Sequence, residues 1–398
     1  MARWLGGFLV VALSVAWTAP GWAEEPAADA EPAFGYDKGF FVRSADGDHL
    51  LRLNVRAHTL FSLQSLDGAD GRDQEFNFAI SVARLMFTGH LMGPELEFRF
   101  EVDFAKGTMV LLDVYANYAF LPRVLELRVG LMKRPFARQF LHSSGRYQMV
   151  DRSFANTFFG EGYDLGLMLH DGCERAGLLE WSVGVWNGSN ADKPWLEGRV
   201  DLETGEILSG AFTNVPDELH PLLVARLGLN LGAVEPYTET DFEGGGPRLG
   251  LGASLILDPD ADGGEDAAVR AELDYQLKAY GFSLGGAFFV SARQRAAGAG
   301  GETGFADQEL AASGAYLQAG YLIAERVEPI VRYTLVVPEG RKSAQEAAAA
   351  VSVYFHKHAF KWQTQYAARV NPGVLSGQDP GADDRLDHRV LSQLVWAF

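Results

Sequence analysis

Residues 133–152 gather Lys133, Arg134, Arg138, Arg146 and Arg152 against one acid, Asp151. His142, Ser143, Ser144 and Tyr147 add neutral donors to the same stretch. A guanidinium presents a planar fork of donors, so clustered Arg and Lys in a narrow passage replace part of an anion's hydration shell. Field lines focus in such a passage, so local cations can outweigh a global charge of opposite sign. The chain needs that focusing: it carries 34 Lys+Arg against 52 Asp+Glu, a formal charge of -18. Arg52, Arg56, Arg99 and Arg128 are secondary candidates for the same task. The competing reading is structural, with these cations paired to Glu95, Glu97, Glu101 and Asp103 across a shared wall.

Other chemistries find less support. His142-Ser143-Ser144 evokes a serine hydrolase, but no carboxylate or amide stands at a supporting position, and adjacency is not triad geometry. No catalytic residue is assigned, and neither metal nor cofactor is expected. His356 and His358 flank Lys357, a poor metal pair without further ligands. The acidic run from Asp258 to Asp266 lacks the twelve-residue spacing of an EF-hand and reads as a solvated external loop. At most it binds divalent ions weakly and bridges to lipopolysaccharide. Gly244-Gly245-Gly246 has no strand–helix context for a phosphate loop. A single cysteine, Cys173, excludes a disulfide scaffold. The acidic balance argues against nucleic acid, and 47% hydrophobic with 12% aromatic residues excludes disorder.

The elements that must position the basic stretch are strands. Arg3, the apolar run Leu5–Trp17 and the small residues of Gly21-Trp22-Ala23 form a secretory leader cut before Glu24. Its removal takes the charge from -18 to -19, since Arg3 is its one charged residue. No later segment has 18 uninterrupted apolar residues. After residue 50, hydrophobicity repeats with period two. Leu51, Leu53 and Val55 alternate with Arg52, Asn54 and Arg56; Leu96, Phe98 and Phe100 with Glu97, Arg99 and Glu101; Val269, Ala271 and Leu273 with Arg270, Glu272 and Asp274. The phase slips near Ala83-Arg84, which predicts a bulge.

About sixteen such segments follow, most near the length that spans a bilayer when tilted. Short turns at Gly93-Pro94, Pro122-Arg123, Ala279-Tyr280, Glu325-Arg326 and Lys357 alternate with longer connections at 64–76, 133–162, 188–219, 258–266, 293–313, 337–346 and 372–385. Two connections break the rule: 106–109 is short where it should be long, and 232–246 is long where it should be short. Loops sorted by side are the layout of an outer-membrane barrel. Phe76, Phe78, Tyr118, Phe120, Trp181, Trp186, Trp362 and Trp396 suit its interfacial girdles. Val390, Leu394, Trp396 and the terminal Phe398 give a last amphipathic strand that closes the barrel on the first and removes both edges.

An ordered set of local patterns resembles the phosphate-selective porin O and P family. It runs through Tyr36-Asp37-Lys38-Gly39-Phe40-Phe41-Val42-Arg43, Ala83-Arg84-Leu85-Met86-Phe87-Thr88-Gly89, Phe100-Glu101-Val102-Asp103-Phe104 and Leu111-Leu112-Asp113-Val114-Tyr115. Leu127-Arg128-Val129-Gly130 follows, then the most specific piece, Lys133-Arg134-Pro135-Phe136, with Ser143-Ser144 and Val150-Asp151-Arg152-Ser153. Lys361-Trp362-Gln363-Thr364-Gln365-Tyr366 and the final strand complete it. The matches cover roughly residues 36–155 and the last forty. The resemblance implies a sixteen-stranded barrel, usually trimeric, that lets anions diffuse into the periplasm, with a loop after the fifth strand folded inward. The family concentrates Arg and Lys along its pore; this chain departs from that with its acidic excess and with carboxylates on its first strands.

The sequence therefore reads as all-β: a transmembrane antiparallel β-barrel of about sixteen strands with short periplasmic turns and long external loops. Residues 1–23 are the signal peptide, 24–49 an N-terminal periplasmic arm or strand, and 50–398 the barrel, with a constriction loop near 133–162. The expected function is passive diffusion of small hydrophilic solutes, anions such as phosphate first, through a charged constriction in the bacterial outer membrane. The alternatives are a structural or interaction barrel with a plugged lumen, and a cation-tolerant general porin. Expected partners are outer-membrane lipid and lipopolysaccharide, small anionic solutes, two further copies in a homotrimer, and the barrel-assembly machinery through the last strand.

Overall fold

A computed structural model describes residues 33–68, 71–105, 109–160, 162–173, 177–187, 199–200, 207–209, 221–259, 268–294, 310–375 and 385–398. The leader, residues 24–32 of the arm and most of the acidic run 258–266 lie outside the described residues. Ala33–Tyr36 (β1) and Phe40–Arg43 (β2) form a hairpin. The next strands are Leu50–Gly68 (β3), Gly71–His90 (β4), Leu96–Asp103 (β5), Val110–Leu121 (β6), Leu125–Lys133 (β7), Tyr163–His170 (β8) and Leu179–Trp186 (β9). Arg199–Val200 (β10) pairs with Ile207–Ser209 (β11) in an outer connection. Then come Leu222–Leu231 (β12), Arg248–Asp258 (β13), Ala268–Ala279 (β14), Phe282–Gln294 (β15) and Leu310–Tyr321 (β16). Val327–Pro338 (β17), Ala344–His356 (β18), Phe360–Val370 (β19) and Leu386–Ala397 (β20) end the chain. Arg138–Leu141 (α1) and Phe154–Phe159 (α2) lie between β7 and β8.

Sixteen of these strands, β3–β9 and β12–β20, pair antiparallel with their neighbours in one ring. The ring closes where β20 meets β3, with Val395 opposite His58. Beyond the last strand, Phe398 and Val55 exchange backbone hydrogen bonds of 2.8 and 3.0 Å. Hydrocarbon offers no partner to a backbone N–H or C=O, so only closure satisfies all sixteen strands. The β1–β2 hairpin sits below the end of β20 and pairs with β3 at residues 50–53.

Period two sorts the side chains as expected. On β14, Arg270, Glu272, Asp274, Gln276 and Lys278 are buried in the lumen, while Leu273 faces out at 62% exposure. The predicted bulge is real and lies two residues before Ala83-Arg84. His58 pairs with Val82 and Thr59 with Ile80, which leaves Ser81 as the extra residue. That extra residue flips the phase: Phe76, Phe78 and Ile80 point outward, while Val82 and Met86 point in.

Two expectations need correction, and the irregular length of 232–246 finds its reason. The segment 64–76 is no loop; β3 and β4 continue through it as a paired hairpin to Gly68 and Gly71, because its residues keep the alternation. Trp186 does not belong to a girdle. It lies five residues from Trp181, hence on the opposite face, and is buried in the lumen. The connection 232–246 is long because it folds back inside: Val234, Tyr237, Thr238, Glu239, Thr240 and Asp241 are all buried.

Candidate functional site in the lumen

The connection between β7 and β8 turns inward, as its place after the fifth barrel strand implies. Its apolar residues carry it across the lumen. Phe136 and Phe159 reach Phe289 on β15, and the Phe159 ring stacks on Phe289 at 5.1 Å and 4°. Gly314 on β16 makes room: a Cβ there would stand 2.4 Å from the Phe159 ring. Ser153 starts α2 by accepting from the Asn156 N–H at 3.2 Å. Ser153→Ala is expected to lower the local opening free energy of α2 by about 1 kcal/mol. Hydrogen exchange at Asn156 should then speed up about five-fold; an unchanged rate would remove the cap from the account.

The basic stretch divides into two groups. Arg134 and Arg138 are buried anchors. Arg134 donates to Asp164 at 2.8 Å. Arg138 bonds Asp274, and its backbone N–H donates to Glu272 at 2.9 Å. Both residues are spent on holding the loop to the wall, and their partners come from β8 and β14 rather than from residues 95–103. Lys133 is a third tether: its ammonium donates to the carbonyls of Phe140 and His142 at 2.9 and 3.1 Å. Arg152 lies over the rings of Phe140 and Tyr147, at 4.5 and 5.3 Å. Arg146 stays open, 3.8 Å from Glu235.

The secondary candidates lie on the wall. Arg52 sits at the periplasmic rim, 3.6 Å from Asp37. Arg99 bonds Glu101 and Asp113 at 2.5 and 3.2 Å, the pairing that the structural reading expects of the carboxylates on the early strands. Arg128 stacks over Tyr115 at 4.3 Å. Arg56 makes no ion pair among the described residues, and its inner Nε and Nη1 have no hydrogen-bond partner. It stands directly opposite Arg84 on β4, a like-charge pair. It rests against Gly145 of the inward loop, where a Cβ would stand 2.9 Å from its Nε. Ser144 Oγ and His58 Nε2 are also without partners.

Between loop and wall runs a narrow cleft. Arg84, Arg99, Arg128, Lys133 and Arg226 line it against Glu101, Asp113 and Glu180. Five cations against three carboxylates leave the lining basic in an acidic chain, with Arg56 one strand away. Sequence reading missed Arg84 and Arg226, although both occupy lumen-phase positions of their strands. Arg84 lies just past the phase slip, and Arg226 has apolar neighbours that hide its face. Arg226 is buried among Glu180 and Asp274 at 2.9 and 2.7 Å. On the far side, Asp151 meets Arg332, Arg369 and Arg389 at 2.9, 3.5 and 3.6 Å.

Two lumen carboxylates on connections are strongly acidic. Burial alone would raise Asp151, but Arg332, Arg369 and Arg389 outweigh it and hold its pKa at about 2. Burial opposes Glu239 in the same way, and His142, the Gln148 N–H and Gln139 bring it to about 2. Burial keeps His142 itself below its ordinary value. Both carboxylates are depressed, so their stabilisation is complete above the ordinary carboxylate range near 4 and is lost as pH falls through about 2. Neither carboxyl is therefore expected to take up a proton between pH 7 and about 4.5, so their side-chain carbonyl NMR shifts should stay flat over that range. A titration step of either carboxyl near pH 6 would contradict these assignments.

The hydrolase idea gains nothing from this geometry. His142 lies 3.7 Å from Glu239, and neither of its ring nitrogens has a hydrogen-bond partner. His358 packs against the rings of Phe242 and Tyr354 at 5.0 and 5.8 Å. Among the described residues no three His, Cys, Asp or Glu side chains are placed to hold a metal.

Comparison with known proteins agrees with the architecture. The sequence model described as phosphate-selective porin O and P matches residues 52–202. An uncharacterized protein of Aquifex aeolicus (strain VF5) is 24% identical over 297 residues, 71% of this chain and 67% of its own length. The anion-selective porin from Comamonas acidovorans superposes with a TM-score of 0.55 at 13% identity, over 87% of this chain and 99% of its own. The outer membrane channel DcaP of Acinetobacter baumannii gives 0.56 at 12%, over 89% and 99%. OprB of Pseudomonas putida gives 0.53 at 10%, over 89% and 95%.

Proposed function

We propose that this chain, which matches the phosphate-selective porin O and P family over residues 52–202 and folds as an outer-membrane porin, is a passive diffusion channel preferring small anions. Channel proteins of this family and fold are not enzymes, and they imply the outer membrane as its location. The observation that carries the anion preference is the cleft. Its basic side chains outnumber its acidic ones, and Arg56 beside it holds donors that no group among the described residues satisfies. A small oxyanion would supply acceptors to such donors and would relieve the facing Arg56–Arg84 pair.

Glu101, Asp113 and Glu180 favour a second reading, a cation-tolerant general porin. The filling of the lumen by two connections favours a third, a plugged barrel with an interaction role. Single-channel recording in a planar bilayer separates them. The protein is expected to conduct, and its reversal potential in a potassium chloride gradient should carry the sign of anion preference. No current supports the plug, and the opposite sign supports the cation-tolerant pore.

Partners follow from the same reading. The outward aromatics Phe76, Phe78, Tyr118, Phe120, Trp362 and Trp396 would meet lipid and lipopolysaccharide. The strand ending at Phe398 would serve the assembly machinery, and residues 1–23 would be cleaved on export. A homotrimer is the assembly we assign by resemblance. Sedimentation in detergent would test it, with a monomer the contrary result.

A further inference from the structure

We propose that the periplasmic connection 232–247 is the second half of the constriction, with Glu239 setting the width of the passage and Glu235 tuning its charge. This rests on the diffusion-channel reading and deepens it.

Joining two adjacent antiparallel strands takes only a few residues. The connections at 280–281 and 357–359 do it that way. The segment 232–247 is longer and is built into the lumen. At its base, Asp241 pairs with Arg248 and accepts from the Gly281 N–H at 2.8 Å. Higher up, Lys278 donates to Thr238 Oγ1 at 2.7 Å, and Thr240 donates to Glu328 at 3.0 Å.

Its tip meets the inward loop that descends from the other side of the membrane. Glu239 accepts from Gln139 Nε2 and from the Gln148 N–H, each at 2.7 Å, and from Gln318 Nε2 at 3.1 Å. Arg138 Nη1 donates to the Pro236 carbonyl at 2.9 Å. One carboxylate thus ties the loop to the turn and to β16. Removing this buried acceptor leaves the Gln139 amide and the Gln148 N–H without it, while Gln318 Nε2 keeps Gln148 Oε1 at 2.9 Å. The loop rests on this turn as well as on its tethers to the wall, so loss of Glu239 frees the side of the loop that borders the turn. Glu239 is a positioning residue; it does not line the cleft.

Glu235 occupies the open side of the same turn, with its side chain 53% exposed and 3.8 Å from Arg146. Arg146 is the inward loop's water-facing cation, at 41% exposure. The turn therefore places a negative charge against a cation that would otherwise face the solute alone. The anion preference of the channel is weaker than its basic lining by itself would give.

Full-length protein, folded in detergent and shown to shift its gel mobility on heating, is tested in planar bilayers with potassium chloride. Glu235→Gln should raise the anion-to-cation permeability ratio about two-fold, a smaller effect than for a charge deep in the passage because the side chain is 53% exposed and solvent-screened. Glu239→Gln should give larger and noisier single-channel currents, with Glu239→Asp in between. Replacing residues 235–242 by a short turn should raise conductance about two-fold or more. A parent that passes no current overturns the channel reading, and this one with it. A conducting parent whose folded variants all reproduce its ratio and its current overturns this proposal alone.

Discussion

Arg138→Ala is expected to destabilise the barrel interior by about 3–5 kcal/mol and to loosen the inward loop. Arg138 is buried to 2% and bonds Asp274, whose other cationic partner is Arg226. Its loss leaves Asp274 under-compensated beside Glu272 in a site with little water. It also removes the donor that holds the Pro236 carbonyl at 2.9 Å. The channel should then show larger, less steady currents. As a free filter charge, Arg138 would lose anion preference on replacement with no cost to stability. The double variant Arg138→Met with Asp274→Asn separates the two roles, because it removes the pair while keeping the net charge. It should recover much of the lost stability, and the coupling between the two positions should exceed 1 kcal/mol, as for contacting charged residues. Additive losses in thermal unfolding would show that the pair does not anchor the loop.

Arg56→Glu is expected to shift the reversal potential strongly toward cations. Arg56 stands one strand from the cleft lining, opposite Arg84, and makes no ion pair among the described residues, so its charge is not already spent. Reversing it changes the local charge by two units. At a few ångströms in a wet, partly low-dielectric passage, each unit is worth about 1 kcal/mol. The permeability ratio should therefore fall by roughly ten-fold or more, since about 1.4 kcal/mol is a factor of ten. Adding phosphate at low millimolar concentration should reduce chloride current in the parent and have little effect in the variant. Equal reversal potentials in parent and variant would remove Arg56 from the selectivity of the pore.

These two results would sort cations that look alike in sequence. Arg56 and Arg138 are both arginines in a basic neighbourhood, and nothing local marks one as free and the other as bound. The partners of Arg138 are Asp274 on β14 and Pro236 on the periplasmic turn, roughly a hundred residues away or more. The partner of Arg134 is Asp164 on the next strand. Pairing of this kind is a property of the closed ring, and spacing along the chain carries no record of it. Glu101 and Asp103 were legible as lumen groups, yet it is Arg84 and Arg99 that they pair with rather than the loop.

The long turn shows the same limit from another side. Its length was visible in the sequence as a break in the alternation of short and long connections. Its direction was not. A polar turn with Glu235, Glu239, Asp241 and Glu243 reads as solvated until Arg248, Lys278 and Gln139 are seen to converge on it.

By itself the sequence determined the barrel. Period-two alternation fixes which side chains meet lipid, strand length fixes that the wall spans a bilayer, and the terminal strand supplies the closing partner. Alternation and strand length are local patterns repeated around the sixteen-strand ring, and lipid admits few other solutions for them. The tertiary structure alone decided the inside. Whether a lumen charge is free, paired or buried depends on which distant strands the ring brings opposite one another and on which connections fold between them. For that reason the sign of the pore's charge was open in an acidic chain, and only the closed ring shows that Arg84, Arg99, Arg128, Lys133 and Arg226 share the cleft with Glu101, Asp113 and Glu180.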